Sequence, residues 1–424
     1  LKNSRAIWLL LLANSISGVA QGISMLAIPW YFTGIIKSEG LFGKIFFVVT
    51  AISLLWGVYA GTLIDRYNRK HLFLWMNSAG FTMLAGVTLW GFTHGQLGWL
   101  PVAMAFGTTV FIYNIHFPNL YAFAQEITPR ADYGRVTSLL EIQGQLTFAT
   151  AGAFAAILLK GVNHHINIFS FEMAVPFAFR AWKIYEIFAI DATTYLIAFA
   201  IIYRIKSLPL TNKVVDTSPL RERMKTGFSF LRKHQIIFLF GVSSLLVFLT
   251  IIVCGLYVNP MYVSNYLHQN GDVYAFSDMA FSLGALLAGI VTNRLFSNKS
   301  SVRGVIILSV LAGIMYSVMA GNKVLLIFFV AQFIIGICNA AVRIQRVTYL
   351  FHHIPNRIIG RTNSIFFMLN VLMRLCLIGL FGLPFFHNGE NIVYAMPVMA
   401  AICLLGAILL MVNYSKLMKA PVAE

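Results

Sequence analysis

Long apolar runs separated by short polar breaks occupy the chain from end to end. Runs of about 20 residues are enough for a helix to cross a bilayer. They are read at 6–36, 41–63, 72–94, 98–124, 136–160 and 184–204, and again at 235–265, 273–295, 303–320, 323–345, 361–385 and 391–415. In hydrocarbon every backbone N–H and C=O needs a partner within the protein, so each run is predicted to be a transmembrane helix. The breaks repeat as well. Gly61, Asp65 and Arg66, placed in a short loop, recur 228 residues later as Gly289, Asn293 and Arg294. Gly134, Arg135 and Ser138 recur 226 residues later as Gly360, Arg361 and Ser364. Two landmarks with nearly one offset make residues 1–205 and 235–424 copies of one six-helix unit, joined by 206–234. Parallel repeats in an apolar chain are a build of transporters, with substrate held at the repeat interface.

Composition agrees. Hydrophobic residues make up 59% and charged residues 11%, against roughly 25% charged in soluble domains. The net charge of +17 suggests nucleic acid until the Lys and Arg residues are sorted by loop. Of the 31, 24 lie on the side of the termini, six on the other face, and one, Arg374, inside a span. That asymmetry follows the positive-inside rule. It predicts a protein of the bacterial cytoplasmic (inner) membrane with both termini in the cytoplasm, in contact with anionic lipid and not with nucleic acid. The first run is too long for a cleavable signal peptide. Cys254, Cys338, Cys376 and Cys403 fall within spans without paired spacing, so neither disulfides nor a metal site is expected, and no cofactor.

Two connectors stand out. In 206–234, Ser218 and Pro219 form a helix start, and Leu220, Met224, Phe228 and Leu231 then recur at helical spacing among Arg221, Arg223, Lys225 and Arg232. This reads as a basic amphipathic helix on the cytoplasmic membrane surface, or as a simple tether. Segment 161–183 carries His164 and His165; adjacent histidines do not readily hold one ion from a regular element, so it reads as a solvated loop.

Residues 61–70 run Gly-Thr-Leu-Ile-Asp-Arg-Tyr-Asn-Arg-Lys. This resembles the signature of the major facilitator superfamily, G-x-L-x-D-R-x-G-R-[RK], between its second and third helices. Gly61 allows close helix approach, Asp65 accepts from helix N-terminal amides or an Arg, and Arg66, Arg69 and Lys70 hold the loop at the cytoplasmic face. Asn68 replaces a Gly, and Asn also tolerates a left-handed backbone. The D-R-x-[ND]-R form, with Gly134–Glu141 and Ile190-Asp191-Ala192, looks like the macrolide- and siderophore-efflux branch. The resemblance implies an all-α membrane protein of twelve helices in two pseudo-symmetric six-helix bundles, working by alternating access. It makes Gly61, Asp65, Arg66, Arg69, Asn293 and Arg294 a conformational gate. The chain departs from related drug antiporters: its fourth span has no Arg, its fifth no Pro and its first no acid.

A charge near the membrane centre costs about 2.5–3.5 kcal/mol, so it needs a partner or a wet cavity. In the family the first, fourth, seventh and tenth helices line the cavity, which ranks the buried polar groups. Arg374 attracts an anion or forms a structural ion pair, Asp278 being a candidate partner. Glu141 carries a proton or pairs at a helix end, and His116 carries a proton or is a hydrogen-bonded packing residue. Asp191, on a supporting helix, reads as structural. Gln21, Asn114, Asn259, Gln332 and Asn339 are candidate substrate contacts, as are Asn14 and Asn119, unless they only join helices.

The expectation is a secondary active transporter, a proton-coupled exporter of a small siderophore-like or drug-like organic molecule, acting as a monomer among membrane lipids. Uptake or facilitated transport of an organic anion is the alternative. A scaffold would not need polar residues inside helices of both halves. An enzyme would show a His/Asp/Glu cluster or a nucleophile–base pair, and a nucleotide-driven pump a G-x-x-x-x-G-K-[ST] loop; none is present.

Overall fold

The computed structural model describes residues 3–129, 132–168, 171–206, 220–296, 301–355 and 358–420. Within these, the side chains of residues 58, 61, 62, 65, 163–168, 171–177, 220–224 and 289–296 lie outside the description. Nearly all of it is helix: α1 (Ser4–Ile35), α2 (Glu39–Arg66), α3 (Arg69–His94), α4 (Trp99–Glu126), α5 (Tyr133–Lys160) and α6 (Ile184–Tyr203), then α7 (Leu220–Lys233). The second set is α8 (Gln235–Tyr266), α9 (Gly271–Phe296), α10 (Ser301–Ala320), α11 (Leu325–His353), α12 (Ile359–Phe381) and α13 (Asn391–Val412). Among the described residues, eleven of these are long and apolar enough to cross a membrane. Their outward faces confirm the solvent: Leu55 is 69% exposed, Leu89 66% and Leu326 61%. Such side chains, repeated on every helix, suit lipid and not water.

The chain divides into two compact units, Leu1–Val215 with Gln269–Met279, and Asp216–His268 with Ala280–Glu424. Each repeats one packing plan. In the first, α1 packs on α5 and α6, and α3 on α4 and α6. In the second, α8 packs on α12 and α13, and α10 on α11 and α13. A glycine pair joins α9 to α11: a methyl on Gly284 would collide with the Phe333 carbonyl, and one on Gly336 with the Phe281 carbonyl. Two backbones at that distance exclude any side chain between them, the small-residue contact typical of membrane helices.

Four expectations are corrected. α2 continues through Arg66, so Gly61, Asp65 and Arg66 belong to its last turns and the loop shrinks to Tyr67 and Asn68. Asn68 is not left-handed. It sits at φ −64°, ψ 125° as the N-cap of α3, its side chain accepting from the amides of Lys70 (3.0 Å) and His71 (3.2 Å); Asn suits that place because its oxygen satisfies orphan amides. Segment 161–183 is no plain loop: β1 (Gly161–Ile168) and β2 (Phe171–Arg180) form an antiparallel hairpin with Gly161 opposite Arg180. The alternation Phe171, Met173, Val175, Phe177, Phe179 is its sequence signal. Last, α11 runs beyond residue 345 to His353, which places Arg346 inside a helix.

The amphipathic helix of the connector exists as α7. Gly227 packs against the backbone of Arg361 on α12 and Leu231 is buried, while Phe228 and Lys225 are exposed. Ser218 and Pro219 lie outside the described residues, as do the side chains of His164 and His165.

Candidate functional site

In the first unit, α1, α4 and α5 bring their polar residues together. Asn14, buried on α1, is the hub. His116 Nε2 lies 2.6 Å from Asn14 Oδ1, and Asn14 Nδ2 donates to Gln143 Oε1 at 2.6 Å. Gln143 Nε2 then donates to Ser15 Oγ (3.0 Å) and Thr147 Oγ1 (2.9 Å). An amide oxygen only accepts, so His116 Nε2 must carry a proton. The neutral ring therefore keeps Nδ1 as its acceptor. Phe73 and Phe117 meet the imidazole edge-on, with centroids at 5.3 and 5.5 Å. Glu141, half-buried on α5, accepts from the Tyr121 hydroxyl of α4 at 2.7 Å.

Other first-unit candidates hold the bundle. Gln21 donates to the Tyr195 hydroxyl at 3.2 Å, and Ser24 to Asp191 Oδ2 at 2.7 Å, both joining α1 to α6. Asn119 donates to the Arg69 carbonyl at 3.0 Å. Arg69 donates to the Ala122 carbonyl at 2.7 Å and pairs with Glu126 at 2.9 Å, so the start of α3 is fastened to the end of α4. Lys70 fastens it to the end of α6 through the carbonyls of Tyr203 (2.9 Å) and Ile205 (2.8 Å). Arg66 is exposed and Asn114 half-buried. The side chains of Asp65, Asn293 and Arg294 and the surroundings of Gly61 lie outside the description. Asp278 on α9 is half-buried, and no ion pair reaches it among the described residues.

In the second unit Asn259 is buried and accepts from Cys254 Sγ at 3.2 Å. Gln332 is buried and Asn339 half-buried, both on α11. Arg374 Nη2 donates to Asn370 Oδ1 one turn earlier on α12, at 2.8 Å. At the far end of this unit Glu390 joins three connections: Lys323 Nζ lies 2.6 and 2.7 Å from its two oxygens, and His268 Nε2 lies 2.9 Å from Oε1. These partners hold the Glu390 carboxyl below the usual carboxylate range, Lys323 contributing most.

Sequence reading missed Ser15, Tyr121, Glu126, Gln143, Thr147 and Arg346. Gln143 and Thr147 had a signal, two polar residues one turn apart on an otherwise apolar stretch of α5. Arg346 had one too: Gln332, Asn339 and Arg346 are spaced by seven along one face. It was masked by ending the span at 345, where positive charge reads as loop.

The sequence matches the profile described as Major Facilitator Superfamily over residues 10–375. Curated protein sequences return no match. Solved structures similar to it include a mutant of the nucleoside transporter NupG, at 14% identity with a TM-score of 0.71, covering 96% of this chain and 99% of that one. A bacterial homologue of the human lysosomal transporter Spinster, in an inward-facing and unoccupied conformation, gives 11% identity, a TM-score of 0.71 and coverage of 100% and 99%. A bacterial homologue of the iron transporter ferroportin, inward-facing, gives 12%, 0.71, and coverage of 96% and 98%. At such identities these likenesses speak for the fold alone. With the profile spanning most of the chain and two six-helix bundles on one packing plan, the protein is a transporter, not an enzyme, and belongs to the major facilitator superfamily.

Proposed function

We propose that this protein is a proton-coupled secondary transporter that exports a small organic molecule by alternating access from the bacterial cytoplasm, with both termini on the cytoplasmic side. One observation carries the reading of the coupling: a histidine within a membrane-spanning helix whose Nε2 is tied to Asn14, a bond that an imidazole keeps in either protonation state. Glu141, on the adjacent α5 and bonded to a phenol, is the second proton site. Both lie on helices of the first unit, and both bind through hydrogen bonds that survive a change of protonation. The direction of transport rests on the D-R-x-[ND]-R form of the α2–α3 junction, which resembles the efflux branch.

The test compares the metabolites released by cells with and without the protein, then follows the released molecule in vesicles. Glu141→Gln and His116→Gln are expected to abolish movement driven by a pH gradient while leaving exchange at equal pH. Movement that responds to the gradient as before in both variants, or release unaffected by a protonophore, overturns the coupling. Loss of gradient-driven and equal-pH movement together makes these residues packing groups.

A further inference from the structure

We propose that Arg346 is the recognition site for a carboxylate on the transported molecule. Four observations converge on it. First, it lies inside α11, a membrane-spanning helix, and is half-buried, with its Nε enclosed and bound to no hydrogen-bond acceptor. Second, the membrane-spanning part of its unit is nearly without counter-charge: residues 235–268 and 280–420 contain a single carboxylate, Glu390, which is committed to Lys323 and His268. Third, two other arginines share an enclosed, unpartnered Nε but have acceptors at their Nη groups. Arg69 has Glu126 and a carbonyl, and Arg374 has Asn370. Fourth, the guanidinium lies 5.5 Å over the Phe366 ring of α12.

The last contact is what turns an unpaired charge into a site. An aromatic face holds a guanidinium flat and leaves its in-plane N–H fork for a planar oxyanion, which it grips at two points. A lone cation placed in a membrane helix is expensive, and such residues are kept where they meet substrate or a counter-ion. Along the same face of α11, at seven-residue steps, stand Asn339 and Gln332. Gln332 is 4% exposed and its Nε2 has no hydrogen-bond partner. The face therefore offers one cation and two amides, a set that takes a carboxylate attached to a polar body.

This inference rests on the reading of the chain as a transporter of small organic molecules, and its test is independent of proton coupling. Purified full-length protein is titrated with benzoate and with its neutral counterpart benzamide, the flat ring matching the Phe366 surface, and thermal unfolding is followed. Benzoate alone is expected to stabilise the wild type, and Arg346→Gln to abolish the response. Arg346→Lys keeps the charge but not the fork, and should raise the half-saturating benzoate concentration by about tenfold. The proposal is overturned if benzoate leaves the wild type unchanged, if benzamide acts equally, or if Arg346→Gln responds like the wild type. Should the Gln variant not fold, an unweakened response of Arg346→Lys overturns it. An absent benzoate response beside intact gradient-driven transport discards Arg346 alone; a normal response beside absent coupling discards only the proton reading.

Discussion

The chain through Asn14 can be weighed by mutation. Asn14 is 8% exposed and makes two hydrogen bonds of 2.6 Å. Truncating it to Ala leaves the His116 Nε2–H and the Gln143 Oε1 without their partner. Inter-helix hydrogen bonds in membrane proteins couple by about 0.6 kcal/mol on average and about 1.7 at most, so two give about 1–3 kcal/mol for Asn14→Ala. Gln143→Ala breaks the shared bond together with those to Ser15 and Thr147 and should cost about as much. The double variant counts the shared bond once, so the pair should be coupled by about 1 kcal/mol. Reversible unfolding of the purified protein in mixed detergent measures all four free energies. A sharper result comes from the third member. The hydrogen bonds of His116 and Gln143 meet only at Asn14, so coupling carried by them must vanish once Asn14 is Ala. Additivity of Asn14→Ala and Gln143→Ala within about 0.3 kcal/mol, or His116–Gln143 coupling that persists without Asn14, would refute the chain.

Three further outcomes are expected. Gly284→Ala or Gly336→Ala should destabilise the second unit by about 1–3 kcal/mol through overpacking, seen as a lower unfolding temperature, whereas Gly86→Ala, which meets open space, should not. Glu390→Gln should lower stability at neutral pH. Because the folded carboxyl is held below its ordinary value, the wild type's advantage over the Gln variant is lost as pH falls through the folded value; an advantage undiminished below that value contradicts the Lys323 pairing. Arg69→Gln removes the ties to Glu126 and the Ala122 carbonyl and should lower the unfolding temperature more than Arg66→Gln, since Arg66 is exposed.

The helices were legible because length and apolar content suffice to define a membrane span. Their ends were not. Arg346 read as loop because charge normally marks the exit from lipid, yet α11 carries it and seven residues more. Asn68 was legible as a residue suited to a turn but not as a cap, because Gly replacement suggests left-handed backbone and capping depends on where α3 begins. The hairpin was written in the alternation of 171–179 and was passed over because strands are rare in a chain of this composition. Hydrogen-bond partners were out of reach for a different reason. Asn14 meets His116 and Gln143 across 102 and 129 residues, and which amide faces which helix is decided by helix rotation, which an apolar surface open to lipid on many sides constrains poorly.

What repeats and what does not repeat between the two units separates fold from function. The landmarks opening α5 and α12 fix their offset at 226 residues: Gly134, Arg135 and Ser138 stand where Gly360, Arg361 and Ser364 stand, and both serines donate back to the glycine carbonyl, at 2.9 and 3.0 Å. Those residues answer a need that each unit has separately, to start and seat a helix at the membrane edge. At the same offset Glu141 corresponds to Phe367, Gln143 to Leu369, and Arg374 to Phe148. A structural device required by the packing plan would be expected in both copies, since both copies share the plan. Polar groups inside lipid carry a cost at each site, and in each of these three pairs the copy has settled on an apolar residue. Glu141 and Arg374 are therefore the side chains whose mutation should change what is carried, or what drives it, before it changes whether the bundle folds.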